Sequence, residues 1–463
     1  MLLFWLWGLF LVGAAKADSE GSFSVLTLNV AGLPSFLNDN DVPGDKEGNA
    51  EKIGTLLGKY NYDVIHLQED FNYHAHIYKT DTHPHHTSTS GGAGFGSGLN
   101  TISNFDWIDY DRVKWDTCSN ASEDDCFTPK GFTLMRVRIA EGIYVDMYNL
   151  HADAGTMTGD EEARRANLDQ LARYMQDNSA GNAVIVFGDT NSRYSRAADN
   201  IKSFRDQSGL KDAWVELIRN KTDPSAETDC TNPSLESTCE TVDKVLYRGS
   251  SILHLEAVDW RYESRRFLQW NGDVLSDHNP IACDFRWTLN QDLRQSDFWG
   301  GPHGSWFSDL PRLSSMERPK VSSIELRGGS RLDAIGVNLA STDASTHGGN
   351  GGTETRLTLD DDEYWTRASL CQGKKNGHTR IFSLSAGTSK GRLVAAGTMT
   401  SDCKDFVAPD GWHIVGLIGQ SADEVDRLAF VFSRQSGAAA GNARLRRRLR
   451  RREHGRRASL IPR

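Results

Sequence analysis

The chain has 463 residues, of which 38% are hydrophobic, 25% charged and 9% aromatic, the profile of a folded globular protein of two or three domains. That excludes a disordered chain, a collagen-like repeat and a polytopic membrane protein. The net charge of −10 conceals an asymmetry: ten Arg against one Glu give 444–463 a charge of +9, Lys16 adds +1, and 18–443 stands at −20. So acidic a body repels polyanions at long range, which disfavours a nucleic-acid-binding module working by charge alone. It leaves open an enzyme that reaches a phosphate through a bound cation.

Residues 2–13, LLFWLWGLFLVG, form an apolar run too short to span a bilayer with ease, followed by Ala15-Lys16-Ala17. This is the pattern of a signal peptide over 1–17, so the mature chain is expected to be secreted, with no transmembrane segment after cleavage. From 22 to 287 short apolar runs alternate with helical patterns, the signature of a layered α/β domain, here assigned 18–288. Strands are predicted at 23–29, 64–68, 132–139, 144–151, 183–188, 242–247 and 280–287, and helices at 49–59 and 160–177. The polar stretch 289–297 reads as a linker. Beyond it, 298–434 is Gly-rich with strand-like runs and no helical pattern, and is expected to be all-β. LRGGSRLDAIGV at 326–337 and LIGQSADEVDRLAFVF at 417–432 form a weak internal repeat. The stretch 435–463 is a low-complexity basic tail, able to adhere to anionic surfaces.

Seven cysteines suit an oxidising compartment. Cys118 pairs with Cys126, Cys230 with Cys239 and Cys371 with Cys403 by proximity, which leaves Cys283 as a buried thiol in PIACDF. The sequons at Asn120 and Asn220 suit a glycosylated surface. His74, His76, His83, His85 and His86 crowd one segment, but no carboxylate or Cys spacing completes a metal site, so it reads as a soluble loop.

Polar residues end the predicted strands: Asn29, Glu69, His151 and Asp189, with Asn191 two residues on, Asp243 opening another strand and Asp277-His278 preceding the last. Singly these are ordinary turn residues. Together they are what metal-assisted attack on a phosphodiester requires. Oxygen ligands hold a hard cation, a carboxylate-oriented imidazole takes a proton from water, and amides hold phosphoryl oxygens.

The motifs LNV (28–30), LQED (67–70), NLHADA (149–154), GDTN (188–191), VDKV (242–245) and SDHNP (276–280) resemble those of the endonuclease/exonuclease/phosphatase superfamily. That family includes deoxyribonuclease I, neutral sphingomyelinases and inositol polyphosphate phosphatases. The resemblance implies a four-layer α/β sandwich of deoxyribonuclease I type using Mg²⁺ or Mn²⁺. It implies that Asn29 and Glu69 hold the metal with Asp277 beside it, and that Asp189 and Asn191 position water and phosphate. His278 would be the base oriented by Asp243, and His151 would bind the phosphoryl group or protonate the leaving oxygen. Lys130, in TPKGF, resembles a substrate-binding Lys of sphingomyelinase-like members.

That points to a secreted sphingomyelinase-type phospholipase C acting on a phospholipid head group. The alternatives are a deoxyribonuclease I-like nuclease and a non-catalytic carbohydrate-binding adhesin or toxin subunit. The aromatic runs 105–115 and 267–270 are either strand core or lipid contacts, the latter giving peripheral membrane attachment.

Residues 298–434 resemble jacalin-related lectins through WGGPHG (299–304), RGGSRLDAIGV (327–337), HGGNGG (347–352) and GWHIVGLIGQSADEVDRLAFVF (411–432). This implies an all-β prism of three four-stranded sheets. By the same resemblance it implies carbohydrate binding by Gly301 in a glycine loop and by the segment from Gly419 to Asp423. His303 departs from the family's pattern in that loop.

Overall fold

The computed structural model describes residues 19–34, 42–122, 125–226, 228, 230–340 and 344–435. The expected leader at 1–17 and all of the basic tail but Gln435 lie outside the described residues. No described helix is long and apolar enough to cross a membrane.

The first domain runs β1 (Glu20–Asn29), α1 (Lys46–Tyr60), β2 (Val64–Gln68), α2 (His74–Thr80), β3 (His85–His86), β4 (Asn100–Ser103) and β5 (Trp107–Lys114). It continues with β6 (Gly131–Ala140), β7 (Ile143–Leu150), α3 (Thr158–Asn178), β8 (Val184–Asp189), α4 (Ile201–Gln207), β9 (Lys211–Asp212) and α5 (Ala213–Leu217). It closes with β10 (Asp243–Arg248), β11 (Leu253–Tyr262) and β12 (Ile281–Leu289). Two six-stranded sheets result, ordered β11-β12-β1-β2-β4-β3 and β5-β6-β7-β8-β10-β9.

Strand periodicity explains the layers. Successive side chains of β1 point to opposite faces. Val25 joins Val64, Val145, Phe187, Val245 and Phe285 between the sheets, whereas Leu26 and Leu28 meet Ile53 and Leu57 of α1 outside. On the other sheet Leu134, Leu150 and Val186 pack against Leu168, Leu171 and Met175 of α3. The domain is the expected four-layer α/β sandwich. Helix α1 starts at Asp45, whose carboxylate accepts from the Gly48 N–H, and ends at Asn61 in the left-handed region, which caps both ends of the predicted 49–59 segment.

Strands β5 and β11 were not predicted. Each carries a register shift, between Trp107 and Tyr110 and between Ala257 and Asp259, and a bulge breaks the alternation that reveals a strand. The His-rich segment is a helix and a strand edge rather than a loop. His83 and His86 flank Asp81, with N···O distances of 2.7 and 2.8 Å. All three disulfides form as paired in the sequence, and Cys283 is a buried thiol.

The second domain contains β13 (Leu293–Gln295), β14 (Trp299–Gly300), β15 (Ser305–Ser308), α6 (Leu310–Leu313), β16 (Val321–Gly328), β17 (Leu332–Leu339), β18 (Ser345–Gly348) and β19 (Thr353–Thr358). Strands β20 (Trp365–Lys375), β21 (His378–Thr388), β22 (Leu393–Gly397), β23 (Asp402–Val407), β24 (Trp412–Ser421) and β25 (Val425–Arg434) follow. They form sheets β13-β25-β24-β15, with β14 also on β25, then β18-β17-β16-β19 and β22-β21-β20-β23. The three inner faces share one core around Trp365, Leu370, Leu384 and Phe430, as the expected prism requires. Helix α6 is an unpredicted single turn with Pro311 in its first turn, where a missing N–H costs nothing.

The segment 289–297 is not a free linker: β13 within it pairs with β25. Asp297 at its end accepts from Arg138 (2.8 and 3.0 Å) and from the Tyr144 hydroxyl (3.0 Å). The aromatic run 105–115 contains β5 and is strand core, one of the two readings expected: Phe105, Trp107 and Tyr110 pack between the sheets and Trp115 is buried beside α3, while Ile108 and Asp109 meet the second domain. Ile108 packs against the prism core, Asp109 pairs with both Arg136 and the prism's Arg427, and the Arg136 guanidinium lies 3.5 Å from the Trp306 ring.

Candidate functional site

The predicted residues of the first domain meet at one edge of the two sheets. Asn29 ends β1, Glu69 follows β2, His151 follows β7, Asp189 ends β8 and Asp243 opens β10. Because β10 runs antiparallel to β8, Asp243 pairs in register with Asp189, while a bridge sets His151 beside Asp189. Asn29 Nδ2 donates to Glu69 Oε1 (3.0 Å) and Asp189 Oδ2 (3.2 Å), joining the two sheets. His278 Nδ1 contacts Asp243 Oδ2 at 2.9 Å. Its Nε2 faces Asp189 Oδ2 at 3.8 Å, and His151 Nε2 approaches the same oxygen at 3.4 Å. The Asn191 N–H donates to Asp189 Oδ1 (2.9 Å) and its amide to the Ala152 carbonyl (3.0 Å). Both Glu69 and Asn191 adopt positive φ, 53° and 49°, backbone strain of the kind that gathers at functional sites.

Burial sets the electrostatics. It pushes the Glu69 carboxyl up, against the pull of Lys130 and Asn29, and raises Asp189 to about 6. It drives His151 well below the ordinary imidazole range, with Lys130 and His278 adding to the effect. For His278 burial acts downward too, but Asp243 and Asp189 outweigh it and hold that imidazole well above its ordinary value. Lys130 is ion-paired to Asp125 at the rim.

Three buried atoms, Glu69 Oε2, Asp243 Oδ1 and His151 Nδ1, lack a hydrogen-bond partner, although such atoms are ordinarily satisfied. The orphaned Glu69 Oε2 is a carboxylate oxygen of the kind that holds a hard cation. Asn29 turns Nδ2 to both carboxylates while its Oδ1 accepts from the Ala31 N–H (3.0 Å). Asp189, Asp243 and His278 also bring one ligand atom each within 4.8 Å of one another. That trio offers a metal three ligand atoms.

Several positioning residues escaped the sequence reading. Ser276 Oγ donates to the Asn29 carbonyl (2.6 Å) and accepts from the His278 N–H (3.1 Å). Between the sheets, Asn149 accepts from Gln68 (2.7 Å) and donates to the Leu67 and Asn100 carbonyls (3.0 and 3.1 Å). Both lay inside motifs already noted, NLHADA and SDHNP, whose other members drew the attention.

In the prism, the expected carbohydrate residues take up separate positions. Gly301 sits in a glycine loop, but its N–H donates to the Asp426 carbonyl (2.9 Å). Gly419 is a buried strand residue paired with Leu428 and Phe307, and Asp423 is exposed. The carboxylate facing the Gly301 loop is Asp426. A Cβ on Gly304 would lie 2.6 Å from its Oδ2.

The description "Jacalin-like lectin domain" matches residues 296–431, and "Endonuclease/Exonuclease/phosphatase family 2" matches 42–241. Horcolin of Hordeum vulgare is 33% identical over 138 residues, 28% of this chain and 91% of its own length. The chain belongs to the jacalin-like lectins through its second domain. Its first domain is similar to a sphingomyelinase of Mycobacterium bovis, 38% identical over 287 residues, 60% of this chain and 56% of that protein. The lectin chain thus spans about half the length of the curated relatives its first domain matches. Among solved structures, sphingomyelinase C from Streptomyces griseocarneus aligns over 57% of this lectin chain and 99% of its own, with 19% identity and a TM-score of 0.40.

Proposed function

We propose that the first domain is a metal-dependent phosphodiesterase of sphingomyelinase type, cleaving the phosphodiester of a phospholipid head group, and that the lectin domain holds the secreted enzyme on glycan-bearing surfaces. The observation that carries it is the His278–Asp243 pair, 2.9 Å apart, facing the buried Asn29, Glu69 and Asp189 cluster. Asp243 fixes the imidazole with Nε2 toward the cleft, where it takes the proton of an attacking water. Asn29 and Glu69 would hold Mg²⁺ or Mn²⁺, with Asp277 beside them. Such an ion neutralises charge on the phosphoryl oxygens. Asp189 and Asn191 orient water and phosphate, and His151, kept neutral by burial, donates a hydrogen bond to a phosphoryl oxygen. Lys130 supplies positive charge at the rim. Three disulfides agree with a secreted protein.

A lipid substrate is supported by the relative named a sphingomyelinase and by the loops near the strand-end edge. Trp270, Phe95, Phe127 and Leu235 are 93%, 89%, 69% and 65% exposed, and exposed large apolar side chains mark contact surfaces. Within 267–270, Phe267 is core and Trp270 faces solvent. The test compares hydrolysis of sphingomyelin, plasmid DNA and inositol phosphates, each with and without Mg²⁺. Metal-dependent turnover of sphingomyelin is expected; cleavage of DNA alone would replace this reading with the nuclease, and no turnover with the adhesin.

A further inference from the structure

The clustered histidines of the first domain take no part in the cleft, and two of them share one buried carboxylate. Asp81 ends α2, its N–H donating to the Ile77 carbonyl (3.1 Å). The side chains of Asp81 and His83 have no exposed surface, and that of His86 is 25% exposed. Asp81 Oδ1 contacts His83 Nδ1 at 2.7 Å, while Oδ2 accepts from the His83 N–H at 2.9 Å and faces His86 Nε2 at 2.8 Å. The other ring nitrogen of His83 reaches the turn ahead of β2, where Nε2 lies 2.8 Å from the Tyr62 carbonyl.

Both ring nitrogens of His83 therefore face oxygens that accept. A neutral imidazole has one N–H and serves one of the two, whichever tautomer it takes; the imidazolium serves both. A protonated Asp81 would donate to Nδ1 instead, but its second oxygen already faces the His83 N–H and His86 Nε2, contacts that favour the charged carboxylate. Removing the ring proton leaves one of two buried contacts without a hydrogen, which is costly where water cannot replace it.

The surroundings act in the same sense. Burial works downward on His83, but Asp81, the Tyr62 carbonyl and Asp63 outweigh it and hold the imidazole above its ordinary value. Burial works upward on Asp81, but His83 and His86 outweigh it and hold the carboxyl below its ordinary value. The other titratable groups nearby have contacts of their own. Tyr78 of α2 sets its ring 4.6 Å from that of His86, His85 meets Trp107 at 5.8 Å and Lys59 of α1 lies 5.0 Å over Tyr60. The Tyr62 hydroxyl accepts from Arg266 (3.3 Å), which also donates to Glu263 (3.0 Å).

We propose that His83 is a buried imidazolium that locks the segment between α2 and β3 to the start of β2, and that loss of its proton releases this segment. The locked stretch lies between the Glu69 turn and the Gly-rich loop bearing exposed Phe95. It fixes the root of that loop, where the Thr87 N–H donates to the Thr101 carbonyl (2.9 Å). The contribution of His83 is complete below about pH 6.5, the ordinary imidazole value, and is lost as pH rises through its raised value. That of Asp81 is complete above about pH 4 and is lost as pH falls through its lowered value.

The experiment follows the full chain by NMR with ¹⁵N-labelled histidine, His83 being assigned by ring-proton contacts with Tyr62, and by hydrogen exchange over the same pH range. Near about pH 7 His83 is expected to show two ring N–H groups; one bare ring nitrogen there overturns the proposal. Exchange of residues 74–87, corrected for its intrinsic pH dependence, is expected to rise at least about tenfold through the His83 midpoint, the equivalent of one pH unit, while the prism strands stay unchanged. Exchange with no step at that midpoint overturns the lock. Asp81→Asn is expected to lower the midpoint by at least about one pH unit, the scale of a lost neighbouring charge, and a midpoint left in place overturns the pairing. If Asp81→Asn does not fold, the two measurements on the wild type decide alone.

Discussion

The cleft of the first domain and the loops of the second solve opposite problems. The cleft gathers residues from 29 to 278 on the ends of strands in two sheets, each side chain aimed by a rigid backbone and three of them keeping one buried polar atom without a hydrogen-bond partner. The lectin loops are local, built from glycines that let backbone approach backbone, and each is completed by one carboxylate from an adjacent strand. Chemistry needs several groups fixed against one reacting centre, so its site is assembled once and tolerates little change. A glycan loop needs only a few donors and an acceptor.

The largest expected effects fall on the cleft. EDTA should abolish phosphodiester turnover and Mg²⁺ or Mn²⁺ restore it, with Zn²⁺ a poor substitute for oxygen ligands. Glu69→Gln should reduce kcat by about a hundredfold or more. Undiminished hydrolysis in EDTA would remove the metal from the mechanism.

The next contrast concerns His278. A base must be neutral to act, and Asp243 and Asp189 raise the His278 pKa, so activity should fall as pH drops through that raised value. Asp243→Asn removes a favourable charge, so the acidic limb should move to lower pH, with a lower rate at every pH because Asn can stabilise the wrong tautomer. Rates from about pH 5 to about pH 9 check this, and a limb that stays in place would uncouple the pair.

A third measurement tests the join between the two regions. Arg427 and Arg136 share buried Asp109, so Arg427→Ala should lower stability by about 1–3 kcal/mol, less than for an isolated buried pair because Arg136 remains. A chain ended at Thr288 should keep its catalytic residues yet melt lower, since Ile108 and Tyr144 lose the prism they pack on. Equal melting temperatures would make the domains independent. The smallest effect belongs to Asp423→Ala. Asp423 is exposed, and glycan binding should stay within about twofold, the range of surface substitutions.

The sequence by itself determined the strand-end residues, the order of the two domains and the disulfides. Each is carried by local pattern: a strand's last residue lies at the sheet edge whatever the sheet's neighbours, and two disulfides close loops with separations of only 8 and 9 residues. Other features were decided by the tertiary structure. The aromatic run 105–115 reads as strand core or as lipid contacts until the first domain's own cores take up its rings, and the segment 289–297 reads as a linker until β13 finds β25. The sequence reading singled out Asp423, which lies in the turn between β24 and β25, whereas Asp426 lies within β25. Only the pairing of β25 with β14 sets Asp426 beside the Gly301 loop, while Asp423 stays exposed in the turn. Likewise Arg380 lies 46 residues from Asp426, and their buried ion pair depends on contacts that no local pattern encodes.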